Sequence, residues 1–282
     1  MTEHDVHLGA WVGVGVAVGG IFGIVAENIP LGVKIGAAAG FMIGYLLRWR
    51  SEHRPATFAA QPAPLSPPRS HSPMRLLVIG ATGGTGRQLV DQALERGHDV
   101  TAFARVPSNL AIQHERLTVV RGDVLDYASV ESAVRNQDAV LSALGHKRWF
   151  FPTSILSAGT SNVIRAMESL GVKRFVCETS LGIADSRGRL GLYYTLFIVP
   201  VFLYFMFRDK ELQERYIKES SLEWIIVRPG VLTNGSRRDT YRHGQVGHRL
   251  WTVRISRADV AAFMLDQLMD TPYLRSSPGV CW

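Results

Sequence analysis

Cysteine is nearly absent. Two occur in 282 residues, Cys177 and Cys281, far apart and in no Cys-x-x-Cys or Cys/His spacing. That excludes a disulfide framework and a cysteine-based metal site, and it suits a reducing compartment. Cys177 falls inside the apolar run Phe175-Val176-Cys177 and reads as a small buried hydrophobe. Concentrated basic runs are missing too. The 31 lysines and arginines exceed 24 acidic residues to give a net charge of +7, yet they are scattered and form no run interleaved with stacking aromatics. Nucleic acid is therefore not an expected partner. The positive charge suits an anionic membrane surface or a phosphorylated cofactor.

What is present falls into three regimes. Residues 1–50 are glycine-rich and apolar, 51–73 are rich in Pro, Ser and Ala, and from Met74 to Trp282 apolar runs alternate with charged, helix-like stretches. The expected organisation is a two-helix membrane hairpin, an extended solvated linker, and an α/β domain over 74–282.

The hairpin is predicted from length and charge. Leu8 to Ala26 carries no charge, and at about 1.5 Å per helical residue it reaches roughly 28 Å, close to a bilayer core. Ile29 to Leu47 carries only Lys34, and Glu27-Asn28 with Pro30 separates the two stretches. Glycines such as Gly9, Gly13, Gly15, Gly19, Gly23, Gly32, Gly36 and Gly40 recur at spacings of four, which lets helix backbones approach closely in lipid. Arg48, Arg50 and Arg54 follow at once, so the expectation is a membrane protein, contacting lipid through residues 8–47, with its downstream domain facing the cytoplasm. A water-soluble glycine-zipper hairpin or self-associating segment is the alternative. The acidic start, Glu3 and Asp5, argues against a signal peptide.

Chemistry enters at Arg75-Leu76-Leu77-Val78-Ile79, a buried-strand pattern running into Gly80-Ala81-Thr82-Gly83-Gly84-Thr85-Gly86 and then the helix-like Arg87 to Leu94. Strand, glycine turn and helix in that order predict a dinucleotide-binding unit of a Rossmann-type doubly wound parallel sheet. Gly80 permits the tight turn, Gly83 admits the pyrophosphate, Gly86 allows close helix-to-strand packing, and the helix start, with Thr82, Gly84 and Thr85, presents N–H groups to phosphate. A second strand, Asp99 to Ala104, ends at Arg105. An arginine there favours a 2′-phosphate, so NADP is the expected cofactor, with NAD possible; a solvated surface arginine is the alternative.

Further strands, Leu117 to Val120 and Asp138 to Gly145, end at Arg121-Gly122-Asp123-Val124 and at Ala143-Leu144-Gly145. With GATGGTG, RGDVLD, SALG, TSLG and IVRPG, residues 74–282 resemble the extended or atypical short-chain dehydrogenase/reductases, and most nearly their NmrA-like and flavin reductase/biliverdin-IXβ-reductase-like members. The resemblance implies that Asp123 and Val124 border the adenine, that Ala143, Leu144 and Gly145 line the cofactor, and that Thr179 and Ser180 border the nicotinamide. A helix cap for Asp123 and ordinary strand-end packing for the others are the alternatives.

The tyrosine–lysine pair of most such enzymes is absent: Tyr193 and Tyr194 are followed four positions later by Phe197 and Ile198, and Tyr204 by Arg208. In its place stands Arg208-Asp209-Lys210-Glu211-Leu212-Gln213-Glu214. Lys210 and Glu214 are spaced to pair on a helix, as a surface ion pair, or Lys210 contacts cofactor or substrate, as the resemblance implies. Ser180 is placed to hydrogen-bond a substrate oxygen or the nicotinamide amide; capping of the next stretch of chain is its alternative. The apolar run Leu190 to Phe207, interrupted by Pro200, is expected to be a lid over an apolar substrate or a segment at a membrane surface, since a third span would dismember the sheet. The polar, glycine-bearing loop Thr233 to Gly247 suits a mobile cover. Ser256 is expected to cap a last helix of purely structural role. These readings converge on a membrane-tethered NADPH-dependent reductase of a flat, apolar or aromatic small acceptor, with a non-catalytic NADP(H) sensor or assembly factor as the rival.

Overall fold

Every second residue of the central strands faces the same side, and each side meets its own set of helices. The structure is a computed structural model that describes residues 72–145, 151–269 and 271–282. Strand β1 (Arg75–Ile79) shows the principle: Leu76 and Val78 point into one apolar cluster, Leu77 and Ile79 into another, and all four are buried. Strands β4 (Ala139–Ser142), β5 (Arg174–Glu178) and β6 (Glu223–Pro229) divide their side chains in the same way. Helices α1 (Gly84–Glu95) and α5 (Arg257–Asp266) cover the first face. The other is covered by α2 (Tyr127–Val134), α3 (Ile155–Leu170) and α4 (Tyr204–Glu219).

With β2 (Asp99–Ala104), β3 (Leu117–Arg121), β8 (Arg242–Gly244) and β10 (Gly279–Cys281), the sheet has eight strands in the order β3-β2-β1-β4-β5-β6-β10-β8. All neighbours are parallel except the last pair, β10 and β8. Order 3-2-1-4-5-6 is that of a Rossmann-type doubly wound sheet, as the sequence predicts, and its chain reversal lies between β1 and β4. A separate parallel pair joins β7 (Val231–Thr233) to β9 (Arg254–Ser256).

Two local predictions shift. Helix α1 begins at Gly84, three residues before Arg87, because the glycine loop itself closes the first helical turn through Gly83 O accepting from Arg87 N at 2.9 Å. The loop 233–247 is pinned rather than loose: the buried carboxylate of Asp259 accepts from Arg238 N at 2.8 Å and Asp239 N at 3.0 Å. Ser256 caps α5 as expected, accepting from Asp259 N at 2.9 Å.

The apolar run 190–207 forms a π-helical segment, Tyr194–Leu203, that continues into α4 with Pro200 inside it. None of its ten residues is buried. The membrane localisation expected from the sequence is corrected: among the described residues no helix is long and apolar enough to cross a membrane. Residues 8–47, on which the hairpin expectation rests, lie outside those described.

Candidate functional site

Sterics single out the turn after β1. Gly80 has φ +77°, and a Cβ there would lie 2.6 Å from Ala143 O, so only glycine lets β1 and β4 end side by side. A Cβ at Gly86 would collide with the carbonyl of Gly80. Gly83, extended, precedes α1; no side chain caps this helix and its first turn holds no acidic residue. The N–H groups of its first turn, Gly84 to Gly86, thus have no side-chain partner among the described residues, a cradle that fits a dinucleotide's pyrophosphate.

Around this turn the fold collects part of the predicted set. Ala143 donates its N–H to Ile79 O at 3.0 Å and is buried with its carbonyl against Gly80. Leu144 is half-buried and Gly145 exposed at the same strand end. Arg105 is exposed just beyond β2 and has no hydrogen bond or ion pair among the described residues. Asp123 is half-buried; its Oδ1 accepts from Leu125 N at 3.0 Å. That makes it a turn former, whereas the cap of α2 is Asp126, which accepts from Ala128 N at 3.2 Å. Val124 is buried against Gly159, where a Cβ would lie 2.6 Å from its methyl.

A second group sits at the end of β5. Thr179, buried, extends the pairing with β6 by donating its N–H to Val227 O at 2.8 Å. Ser180, half-buried, donates its hydroxyl to Leu181 O at 3.0 Å. Lys210 does not pair with Glu214. Its ammonium is buried and donates to Thr179 O at 2.6 Å, while Glu214 binds Arg228 through two hydrogen bonds of 2.6 and 2.8 Å and accepts from Thr179 Oγ1 at 2.8 Å. Spacing along one helix was outvoted by burial: α4 turns Asp209, Lys210, Gln213 and Glu214 inward. Asp209 accepts from Leu156 N at 3.0 Å and Ser157 N at 3.1 Å, capping α3 from another element.

Sequence reasoning missed three members of this region. Glu178, buried at the end of β5, accepts from Thr85 Oγ1 at 3.2 Å and so ties the phosphate loop to the β5 strand end. Burial raises its carboxyl above the usual range, against the nearby Lys210, the Thr85 hydroxyl and Arg257. Burial likewise lowers Lys210, against Glu178, Cys177, Glu214 and Asp209. Arg228 is 1% exposed; burial opposes its charge, but the hydrogen bonds it donates to Glu214 and Asp185 overcome that and hold it above the ordinary guanidinium value. The third is Arg257, whose stem lies against Gly84. A charged residue closing an apolar strand, as in Phe175-Val176-Cys177-Glu178 and Ile226-Val227-Arg228, is the local signal that marks the first two.

Leu181 and Ile183, just past Ser180, pack in one apolar cluster with Leu190 and Phe207, joined by the partly buried Tyr194, Val199 and Leu203. Leu192, Tyr193, Leu196, Phe197, Val201, Phe202, Tyr204 and Phe205 from the same stretch are exposed. An apolar, aromatic wall thus adjoins the Ser180 turn.

Residues 80–271 match the model of a family described as NAD(P)H-binding. The chain belongs to this NAD(P)H-binding family. A second model, glycine zipper membrane protein, matches residues 2–50; it reflects the glycine spacing there and does not restore the membrane localisation. The NAD(P)H-binding chain is 35% identical over 115 residues to the photosystem II assembly factor Ycf39 of Synechocystis, covering 40% of this chain and 35% of that one. It spans between about a third and three fifths of the length of the curated relatives it matches first. Among solved structures it is similar to ChuY, an anaerobilin reductase of Escherichia coli O157:H7, with TM-score 0.60 and 25% identity over 73% of this chain and 96% of the other. It shares its fold with a short-chain dehydrogenase/reductase of Veillonella parvula solved in complex with NADP, with TM-score 0.62 and 20% identity over 74% and 94% of the two chains.

Proposed function

We propose that this NAD(P)H-binding protein is an NADPH-dependent reductase that passes hydride directly to a flat, apolar acceptor such as a flavin or quinone. The observation that carries the reading is the apolar wall from Leu190 to Phe207 beside the Ser180 turn, reached from the same strand ends as the uncapped phosphate loop. When bound, the reduced nicotinamide supplies the hydride. The loop Gly80 to Gly86, with Thr82, Gly83, Gly84 and Thr85, holds the pyrophosphate; Arg105, exposed and unpaired among the described residues, meets the 2′-phosphate. Asp123 and Val124 border the adenine, and Ala143, Leu144 and Gly145 line the cofactor. Thr179 and Ser180 orient the nicotinamide and the acceptor. Lys210 acts through Thr179: its ammonium holds the carbonyl just before Ser180, so it is a positioning residue. No tyrosine is needed, because a reduced flavin or quinone takes its proton from water and the protein's task is to juxtapose two flat rings.

A second reading has an observation of its own. Similarity to an assembly factor, together with the missing tyrosine–lysine pair, supports a non-catalytic NADP(H) sensor whose partner affinity follows redox state. Steady-state NADPH oxidation by the full-length protein against flavins, quinones and aldehydes separates the two. Turnover with flavins or quinones and none with aldehydes is expected. Tight NADPH binding without oxidation by any acceptor refutes the reductase and leaves the sensor, which partner capture with NADPH against NADP then checks.

A further inference from the structure

Arg257 occupies an electrostatically unfavourable place. It is the first residue of α5, and its side chain lies across Gly84, the first residue of α1: a Cβ on Gly84 would sit 2.5 Å from Arg257 Cδ and 2.6 Å from Nε. A cation is thereby held at the positive ends of two helices, where a negative group is favoured. No carboxylate forms a salt bridge with it among the described residues, and its one hydrogen bond there goes to a neutral acceptor, Asn234 Oδ1, at 2.6 Å. Glu178 acts on it only from a distance and is itself tied to Thr85. The side chain is also aimed. Asn234 belongs to the loop whose following residues, Arg238 and Asp239, are fastened to Asp259, and Asp259 also accepts from Trp282 Nε1 at 2.9 Å. The uncapped start of α1 and a half-buried arginine, most of whose N–H groups have no partner among the described residues, converge on the glycine turn, whereas the start of α5 is already capped by Ser256 and carries Asp259.

We propose that Arg257 is an anion clamp for the dinucleotide: its guanidinium, held beside Gly84 at the start of α1, would hydrogen-bond the pyrophosphate together with the loop's backbone N–H groups. The inference rests on the NAD(P)H-binding reading of the site. It gives Gly84 a specific task, which is to leave room for the arginine stem. It also separates two arginines by function. Arg257 serves the pyrophosphate common to both nicotinamide cofactors, whereas Arg105 serves the 2′-phosphate that only NADPH carries. Arg87 is engaged elsewhere, donating to Asn109 O at 2.7 Å.

The test is equilibrium binding of NADPH and of NADH to the full-length protein, followed by cofactor fluorescence, for wild type, Arg257→Met and Arg105→Met. Arg257→Met is expected to weaken both cofactors by about tenfold or more and by the same factor, about 1.4 kcal/mol for each tenfold, and to flatten the salt dependence of binding. Arg105→Met is expected to weaken NADPH alone. Unchanged affinity of Arg257→Met for both cofactors overturns the clamp, and so does a loss confined to NADPH. Wild-type protein that binds neither cofactor overturns the NAD(P)H reading itself, a distinct result. Should Arg257→Met lose its thermal transition, Arg257→Gln keeps most of the stem and a donor for Asn234, and it must show the same paired loss.

Discussion

Arg228 and Glu214 face one another through two short hydrogen bonds, each about 1% exposed, with Asp185 as a second carboxylate 2.8 Å from the guanidinium. Such a pair contributes little over an apolar substitute, because desolvating two charges costs about what their attraction returns. Removing Glu214 is different, since Arg228 stays buried with only the exposed Asp185 carboxylate left to pair it. Glu214→Gln is therefore expected to destabilise the fold by about 3 kcal/mol, the low end for breaking a buried pair because Asp185 remains, read as a lower urea midpoint at unchanged slope. Thr179 hydrogen-bonds the same carboxylate, so the loss also loosens the turn before Ser180. The local sequence shows Glu214 four residues after Lys210, which suggests a different pair altogether. Only the packing of α4 against β5 and β6 reveals that Glu214 belongs to Arg228 and Lys210 to the Thr179 carbonyl. Cys177 follows the opposite course. Its burial is plain from Phe175-Val176-Cys177, and burial pushes its thiol up to about 12. At pH 8 it is thus protonated, and native protein should resist alkylation at this position until it is unfolded.

At the scale of elements, the unit from β1 through the glycine turn to α1 is specified locally. A short apolar strand, a turn that tolerates no Cβ at Gly80 or Gly86, and an uncapped helix start all fall within a dozen residues. Gly86→Ala is expected to abolish measurable cofactor binding in a fluorescence titration, because its methyl collides with the Gly80 carbonyl and must push the helix off the strand. Helix α5 is equally legible at its start: Ser256 caps it, and the Asp259 side chain accepts from the Ser256 hydroxyl in return at 2.8 Å. What α5 does is not legible there. Asp259 holds a distant loop and Arg257 lies on α1. Asp259→Ala, which strips a buried acceptor from four donors outside its own backbone cap, should cost about 2 kcal/mol or more in thermal or urea unfolding and should weaken cofactor binding through the displaced loop.

For the whole molecule, the doubly wound sheet sets the phosphate loop and the Ser180 turn at the carboxyl ends of its strands, and the segment Tyr194–Leu203 borders the second of these, packing Tyr194, Val199 and Leu203 against the core and leaving Leu196 and Phe197 exposed. Leu196→Ser with Phe197→Ser is accordingly expected to leave thermal stability within about 0.5 kcal/mol and NADPH affinity unchanged, while raising the KM of a flavin or quinone; an unaltered KM removes the wall from the acceptor site. Alternating apolar residues, the order of strand, glycine turn and helix, and the strand-end Arg105 are short-range features, and the sequence by itself determined them, together with the Rossmann-type sheet they imply. Its apolar amino-terminal stretches led instead to a membrane localisation that did not hold, because length and hydropathy measure only whether a segment is able to span. The tertiary structure alone decided which buried charges meet, that Asp209 caps a helix it does not belong to, and that Arg257 rests on Gly84. Each of these contacts joins residues far apart in the chain whose partner is chosen by the burial of both, and burial is settled only when the helices dock on the sheet.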